Sequence, residues 1–171
     1  MKLIVSDRHL EIPELEGSSI QWVDLSHTKI TNCVGCYGCW TKTPGKCVIR
    51  DDAVRIYPRI AESDHLMYVS KIKYGCYDVP MKTLLERAIP IQQAFIRLLQ
   101  GETHHVQRNV APKQALIIAY GDSSPEEQDV FRQLIQRNAK NMNFESYRVV
   151  FVPEQDLEQT VRNEVLAWKK S

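Results

Sequence analysis

The sequence predicts one three-layer α/β domain built on a five-stranded parallel sheet. Short apolar runs alternate with amphipathic helical patterns along 171 residues, and no repeat or linker divides them. A chain of this length buries one substantial core and is too short for two. We therefore expect residues 1–171 to form a single domain, with its ligand site at the carboxyl ends of the strands.

Five apolar runs have the length and composition of buried parallel strands. The segment that joins the first two runs, Asp7–Ser18, is close to the minimum for a parallel crossover, so we expect at most a short helix there. The five runs are Lys2–Ser6, Ile20–Leu25, His65–Ser70, Gln114–Tyr120 and Tyr147–Val152.

Helical patterns separate the later runs. Pro125 and Pro153 each lie in a predicted first turn and are followed by Glu, which suits the amino end of a helix. The four predicted helices are Asp51–Ala61, Pro80–Gln100, Pro125–Met142 and Pro153–Lys169.

Pro90 interrupts the second helical pattern. We expect it to kink that helix or to divide it into residues 80–88 and 91–100. The apolar stripe in the second part, which contains Phe95, Ile96, Leu98 and Leu99, predicts core packing or a dimer contact. Residues 101–112 are predicted to form an irregular excursion.

Charge and composition exclude several classes of protein. Lys and Arg total 22 against 21 acidic residues, without a long basic run, so no nucleic-acid partner is expected. The opening MKLIVSDRHLEIPELEG has an apolar run too short for a signal peptide or a membrane span. We therefore expect a cytoplasmic protein without a membrane partner, in which thiols are reduced and available as metal ligands or redox groups.

Four of the five cysteines lie in the segment NCVGCYGCWTKTPGKC. Two residues separate Cys33 from Cys36 and two separate Cys36 from Cys39, and Cys47 follows after seven more. Four thiolates at this spacing hold an iron–sulfur cluster or a tetrahedral zinc ion, although zinc sites usually use two separate pairs. Metal-free thiols, with one labile disulfide, are the third interpretation. The spacing alone leaves the three open.

Two segments resemble the flavodoxin-like NADPH-dependent FMN reductases and iron–sulfur flavoproteins. They are CVGCYGCWTKTPGKCVIRDD and ESDHLMYVSKIKYGCYDVPMKTLLERAIP. In that family a cysteine loop and an Asp pair precede a helix, and a strand ending in Ser is followed by a Tyr–Gly loop and a K-x-x-x-D-R helix. The matching positions are Asp51 and Asp52, Ser70, Tyr74 and Gly75, and Lys82–Arg87 with Glu86 in place of Asp. The resemblance covers residues 20–140.

The resemblance implies a flavodoxin-like redox protein, either an FMN-dependent NAD(P)H oxidoreductase or an electron-transfer flavoprotein. It implies FMN and a 4Fe-4S cluster as cofactors, NAD(P)H or a ferredoxin-like protein as redox partner, and a homodimer. It assigns no catalytic residue. The implied cluster ligands are Cys33, Cys36, Cys39 and Cys47, and the implied flavin contacts are Ser70, Lys71, Tyr74, Gly75, Cys76, Gly121 and Asp122.

The segment after the first strand departs from the family pattern. Flavodoxin-like proteins bind the FMN phosphate there on small residues and backbone amides. Here the segment SDRHLEIPELEG contains four acidic residues and no glycine before Gly17. The alternative interpretation is therefore a non-enzymatic flavodoxin-like module that has lost the phosphate site and acts through its cysteine loop, by thiol sensing or metal-stabilised binding.

Overall fold

Five parallel strands form the central sheet of the computed structural model, which describes residues 1–170. Each contains or overlaps one of the predicted apolar runs, so the fold class is confirmed. In spatial order the strands are β2 (Gln21–Asp24), β1 (Lys2–Ser6), β3 (His65–Lys73), β7 (Lys113–Tyr120) and β8 (Phe144–Val152). A short strand β4 (Cys76–Tyr77) pairs with the end of β3 in the antiparallel sense.

The register of the sheet brings four strand ends to one edge. Ser6 at the end of β1 pairs with Asp24 of β2 and with Val69 of β3, and Lys71 of β3 pairs with Tyr120 of β7. The segments that follow these strands are therefore neighbours at the carboxyl edge of the sheet, where ligands of open α/β sheets bind.

Helices cover both faces of the sheet, as alternation along a strand requires. Leu3 and Val5 of β1 face a core that includes residues of the helices at 53–62, 79–87 and 125–141, and Ile4 faces a core that includes residues of the helix at 157–170. The five helices are α1 (Gly38–Thr41), α2 (Ala53–Glu62), α3 (Val79–Arg87), α4 (Pro125–Asn141) and α5 (Leu157–Lys170). A 3-10 turn at Glu154–Asp156 precedes α5, so this helix begins four residues later than predicted.

The crossover between β1 and β2 contains no α-helix, only a 3-10 turn at Pro13–Leu15. Leu10 and Ile12 are buried in the core beside α5. Arg162 of α5 donates to the Glu14 carboxylate over 2.7 Å and fixes the turn to that helix. The crossover thus covers its part of the sheet with two apolar side chains instead of a helix.

The prediction of a helix after Pro90 is wrong. Residues 92–99 form strand β5 (Gln92–Leu99), which pairs only with β6 (Glu102–Gln107) in an antiparallel hairpin outside the main sheet. Gln100 and Gly101 have positive φ, as the mirror-image turns of two-residue hairpins require. Strand β6 therefore occupies much of residues 101–112, which were predicted to be irregular.

None of the described helices is long and apolar enough to cross a membrane.

Candidate functional site

The cysteine loop is anchored to the domain through Trp40. The indole Nε1 of Trp40 donates to the Gln92 carbonyl over 2.9 Å, and its ring lies 4.8 Å from that of His105. Tyr37 stacks on the indole at 5.5 Å. These contacts hold α1, which contains Cys39, against the start of the β5–β6 hairpin.

Cys33, Cys36, Cys39 and Cys47 line one small cavity. Ile49, Arg87 and Pro90 contribute to its wall. Three of the four cysteines are half-buried, Cys36 is exposed, and none of the cysteines in residues 1–170 is in a disulfide. The structure therefore brings the four predicted ligands to one place.

Backbone conformation makes this convergence possible. Gly35 has a φ of +63°, which side-chain-bearing residues rarely adopt. A Cβ on Gly38 would lie 2.9 Å from the Val48 side chain and 3.5 Å from Cys36 Sγ. Glycine at both positions thus allows the chain to turn tightly between successive thiols.

The thiols also influence one another electrostatically. Burial raises the pKa of Cys39, and the nearby Cys47, Cys33 and Cys36 raise it further. Four thiolates in this space would repel, and a bound cationic group would relieve the repulsion.

The sulfurs are spread more widely than the four ligands of a single tetrahedral zinc ion would be. Zinc–sulfur bonds of about 2.3 Å place tetrahedral thiolates about 3.8 Å apart. Among residues 1–170, no three of the four sulfurs lie within 4.8 Å of one another. In a cluster each thiolate binds a different iron, so the ligands are further apart. Four thiols around one cavity are the kind and number of ligands that such a cluster needs.

Arg87 connects the cysteine loop to the Asp pair. Its side chain is 1% exposed. Nη2 donates to Cys47 Sγ over 3.4 Å and to Asp51 Oδ1 over 2.9 Å. Nη1 donates to Asp51 Oδ2 over 2.6 Å and to the Thr31 carbonyl over 2.5 Å. One guanidinium therefore fixes both ends of the cysteine segment.

Asp51 is ionised in this arrangement. Burial disfavours its charge, but hydrogen bonds from Arg87 and from the Thr31 and Ala53 amides outweigh this and lower its pKa. The sequence indicated the Asp pair and the helix that contains Arg87, but not that the two meet.

The predicted flavin-ring residues lie together at the carboxyl edge. Tyr74 and Gly75, both with positive φ, form the tight turn between β3 and β4, and Tyr74 is 84% exposed. A Cβ on Gly75 would lie 2.8 Å from Val130, so the turn is seated against α4. Cys76 is half-buried in β4.

Lys71 connects this turn to Gly121, another of the predicted flavin contacts. The Lys71 side chain passes Gly121, where a Cβ would lie 3.3 Å from Cε. Its ammonium donates to Glu154 over 3.1 Å, and Arg8 donates to the same carboxylate over 2.7 Å. Asp122 follows Gly121 and is exposed.

Asp7 occupies the centre of this edge. Its carboxylate accepts hydrogen bonds from Ser70 Oγ at 3.0 Å, from the Lys71 amide at 2.6 Å and from the Tyr120 hydroxyl at 2.9 Å. Burial raises the pKa of Asp7, although these three hydrogen bonds oppose the shift. Ser70 is 1% exposed, and its hydroxyl is used inside the protein.

The residues after β1 do not fit an FMN phosphate. The family position needs free amides at the start of a helix. Here residues 7–20 contain no α-helix, and the carboxylate of Asp7 lies where the strands end. The first crossover therefore lacks the phosphate cradle, as its acidic sequence indicated.

Asp7 gives a testable dependence of stability on pH. Because its pKa is raised in the folded state, the folded protein binds more protons above pH 3.8 than the unfolded chain does. This contribution to the free energy of unfolding is present at low pH and decreases as the pH rises through the folded pKa. The decrease is about 1.4 kcal/mol for each pH unit that separates the unfolded and folded pKa values. Urea denaturation between pH 4 and 7 is expected to show it in the wild type and not in Asp7→Asn.

Asp122→Asn is the control, because Asp122 is exposed at the same edge. If the free energies of unfolding of the wild type and Asp7→Asn differ by the same amount at every pH between 4 and 7, the pKa of Asp7 is not raised by burial.

Curated relatives of this chain are iron–sulfur flavoproteins. No family model matches the sequence. An iron–sulfur flavoprotein of Archaeoglobus fulgidus is 34% identical over 84 residues, which is 49% of this chain and 37% of the relative. One of Methanocaldococcus jannaschii is 30% identical over 80 residues, 47% of this chain and 40% of the relative. The matched segment thus spans well under half the length of each relative.

Solved structures show the fold over the whole chain. Azoreductase AzrA has a TM-score of 0.59 at 10% identity and covers 97% of this chain and 93% of its own. An FMN-dependent NADH-azoreductase from Bacillus anthracis has a TM-score of 0.55 at 12% identity, with 98% and 96% covered. At this identity the likeness shows the fold alone. The structures confirm that this chain has a flavodoxin-like fold, and the curated relatives show that about half of it resembles the iron–sulfur flavoproteins in sequence.

Proposed function

We propose that this chain is a flavodoxin-like redox protein that carries electrons through a 4Fe-4S cluster bound by Cys33, Cys36, Cys39 and Cys47. The observation that supports this most directly is that the four thiols line one cavity. The names of the curated relatives point to the same cofactor.

The cluster supplies one-electron chemistry, and the protein sets how readily it occurs. Arg87 donates to the Cys47 sulfur, and a cation there favours the more negative, reduced state of the site. Ile49 and Pro90 form apolar wall and limit access of water. Arg87 therefore holds the cysteine loop in position and makes the cluster easier to reduce.

FMN is the second proposed cofactor. Its ring would lie along the edge formed by Ser70, Lys71, Tyr74, Gly75, Cys76, Gly121 and Asp122. Because the crossover after β1 does not fit the phosphate, the FMN phosphate would have to bind elsewhere on this edge. NAD(P)H or a ferredoxin-like protein is the proposed electron donor or acceptor.

The experiment is an anaerobic reduction of the reconstituted protein. We expect dithionite to bleach the visible absorption of the cluster and to produce an electron paramagnetic resonance signal, which air reverses. Titration with FMN, followed by quenching of its fluorescence, tests the flavin separately. A reconstituted protein without a reducible chromophore would contradict the redox function.

A homodimer is also proposed, through the β5–β6 hairpin. Phe95, Ile96 and Leu98 are 72%, 65% and 77% exposed on a hairpin that lies outside the main sheet. Adjacent exposed apolar side chains of this size usually mark a contact surface.

Leu98→Glu is expected to convert the dimer to a monomer, because it places a charge in the contact. Light scattering after size-exclusion chromatography measures the mass. Leu166→Glu, on the exposed side of α5 at 41% exposure, should leave the mass unchanged. A wild-type protein that is monomeric at all concentrations would rule out this surface as a dimer contact.

A further inference from the structure

We propose that His9, Asp24 and His27 form a binding site for a divalent transition-metal ion, separate from the cysteine loop. His9 Nδ1 lies 2.9 Å from Asp24 Oδ2, and His27 Nδ1 lies 2.8 Å from the same oxygen. The three ligand atoms are all within 4.8 Å of one another, and in the described part of the chain no other set of three His, Cys, Asp or Glu residues is this compact.

The sheet register places these residues together. Asp24 ends β2, His27 follows it in the 3-10 turn Leu25–His27, and His9 lies in the crossover that leaves the neighbouring strand β1. Residues from two chain segments therefore converge at the carboxyl edge, on the β2 side of Asp7.

Asp24 is held so that one oxygen remains for the site. Its Oδ1 accepts from the Ser26 amide at 2.9 Å and from the Ser26 hydroxyl at 2.6 Å. Oδ2 faces the two imidazoles, and the Asp24 side chain is 12% exposed. The two Ser26 contacts fix the direction in which Oδ2 points. Such outer contacts orient metal ligands in known sites.

The histidine rings are also oriented. The His9 ring lies 5.2 Å from the Trp22 indole, and the two imidazoles are 5.8 Å apart at 88°. In a tetrahedral site with bonds of about 2.0 Å, ligand atoms are about 3.3 Å apart. The present spacing of 2.8–2.9 Å between each Nδ1 and Oδ2 is about half an ångström shorter than this.

The ligand set selects the class of ion. Two imidazoles and one carboxylate suit Zn²⁺, Ni²⁺ and Cu²⁺, whereas Ca²⁺ and Mg²⁺ prefer oxygen. His9 and His27 side chains are 60% and 74% exposed, so the ion has an entry path and three protein ligands leave a coordination position open. A bound ion would join the helix-free crossover to the end of β2.

Calorimetric titration with Ni²⁺, on the protein with its iron–sulfur cluster reconstituted, tests the site. We expect one ion per chain in the wild type. His27→Gln and His9→Gln are each expected to weaken the affinity for Ni²⁺ about 100-fold or more, because each removes a direct ligand and not an outer contact. Both side chains are exposed, so the variants should fold.

His65→Gln is the matched control, because His65 Nδ1 also lies against a carboxylate, 2.8 Å from Asp64 Oδ1, without a second imidazole. It should bind Ni²⁺ like the wild type. Wild-type affinity in His27→Gln, or an equal loss of affinity in His65→Gln, would overturn the proposal. Neither result depends on whether the cluster transfers electrons.

Discussion

Replacing Cys47 with Ser is expected to abolish assembly of the complete iron–sulfur cluster, whereas replacing Cys76 with Ser should leave iron and sulfide contents unchanged. Cys47 lines the cavity shared by the other three loop cysteines and accepts a hydrogen bond from Arg87. Cys76 lies in β4 and lines a different cavity, between α3 and α4. A serine hydroxyl is a poor substitute for a thiolate on iron.

Iron and acid-labile sulfide, measured after anaerobic reconstitution of each variant, provide the comparison. Thermal unfolding of the metal-free proteins checks that Cys47→Ser still folds. Equal iron in the two variants would show that the loop cysteines are not the ligands. Loss of iron in Cys76→Ser alone would move the site to β4.

Replacing Arg87 with Met is expected to destabilise the protein by about 3–5 kcal/mol, because it leaves the largely buried Asp51 carboxylate without its partner. Arg55→Met is the matched control. Arg55 pairs with Asp52 on the neighbouring turn but is 79% exposed, so its loss should cost about 1 kcal/mol or less. Urea denaturation measures both.

The pH dependence identifies the cause. Since Arg87 and backbone amides keep the Asp51 pKa below its ordinary value of 3.8, the stability that this group contributes is present above pH 3.8 and is lost as the pH falls through the folded pKa. The difference between wild type and Arg87→Met should therefore shrink in acid. If this difference in stability does not change as the pH falls, Arg87→Met destabilises the protein through lost packing alone.

Arg87→Lys keeps the positive charge, and so tests the role of Arg87 beside the cluster. Lys lacks the planar fork that reaches Asp51 and Cys47 together. We expect a more negative midpoint potential than in the wild type, by about 60 mV for each 1.4 kcal/mol of lost preference for the reduced cluster. An unchanged potential would limit Arg87 to a structural role.

Most of the sheet was predictable because buried parallel strands are continuous apolar runs, and the run Lys2–Ser6 matches β1 residue for residue. The hairpin was not predicted, since Phe95, Ile96, Leu98 and Leu99 also satisfy a helical stripe, and Gln100–Gly101 is not a typical turn pair. Pro90 indicated a break in the helix but not the conformation after it.

The candidate site was predictable where its residues are close in the sequence. Cys33, Cys36 and Cys39 are separated by two residues, and they converge with Cys47. Asp7 contacts Ser70 across 63 residues, and Arg87 contacts Asp51 across 36, so neither contact has a local signal. His9, Asp24 and His27 converge only because β1 and β2 are paired.

Metal analysis of the anaerobically reconstituted wild-type protein, combined with a sulfide assay on the same sample, tests the central claim most directly. The claim that the four loop cysteines hold a cluster predicts about four iron and four sulfide per chain, with little zinc. One zinc per chain without sulfide, or no metal at all after reconstitution, would contradict it.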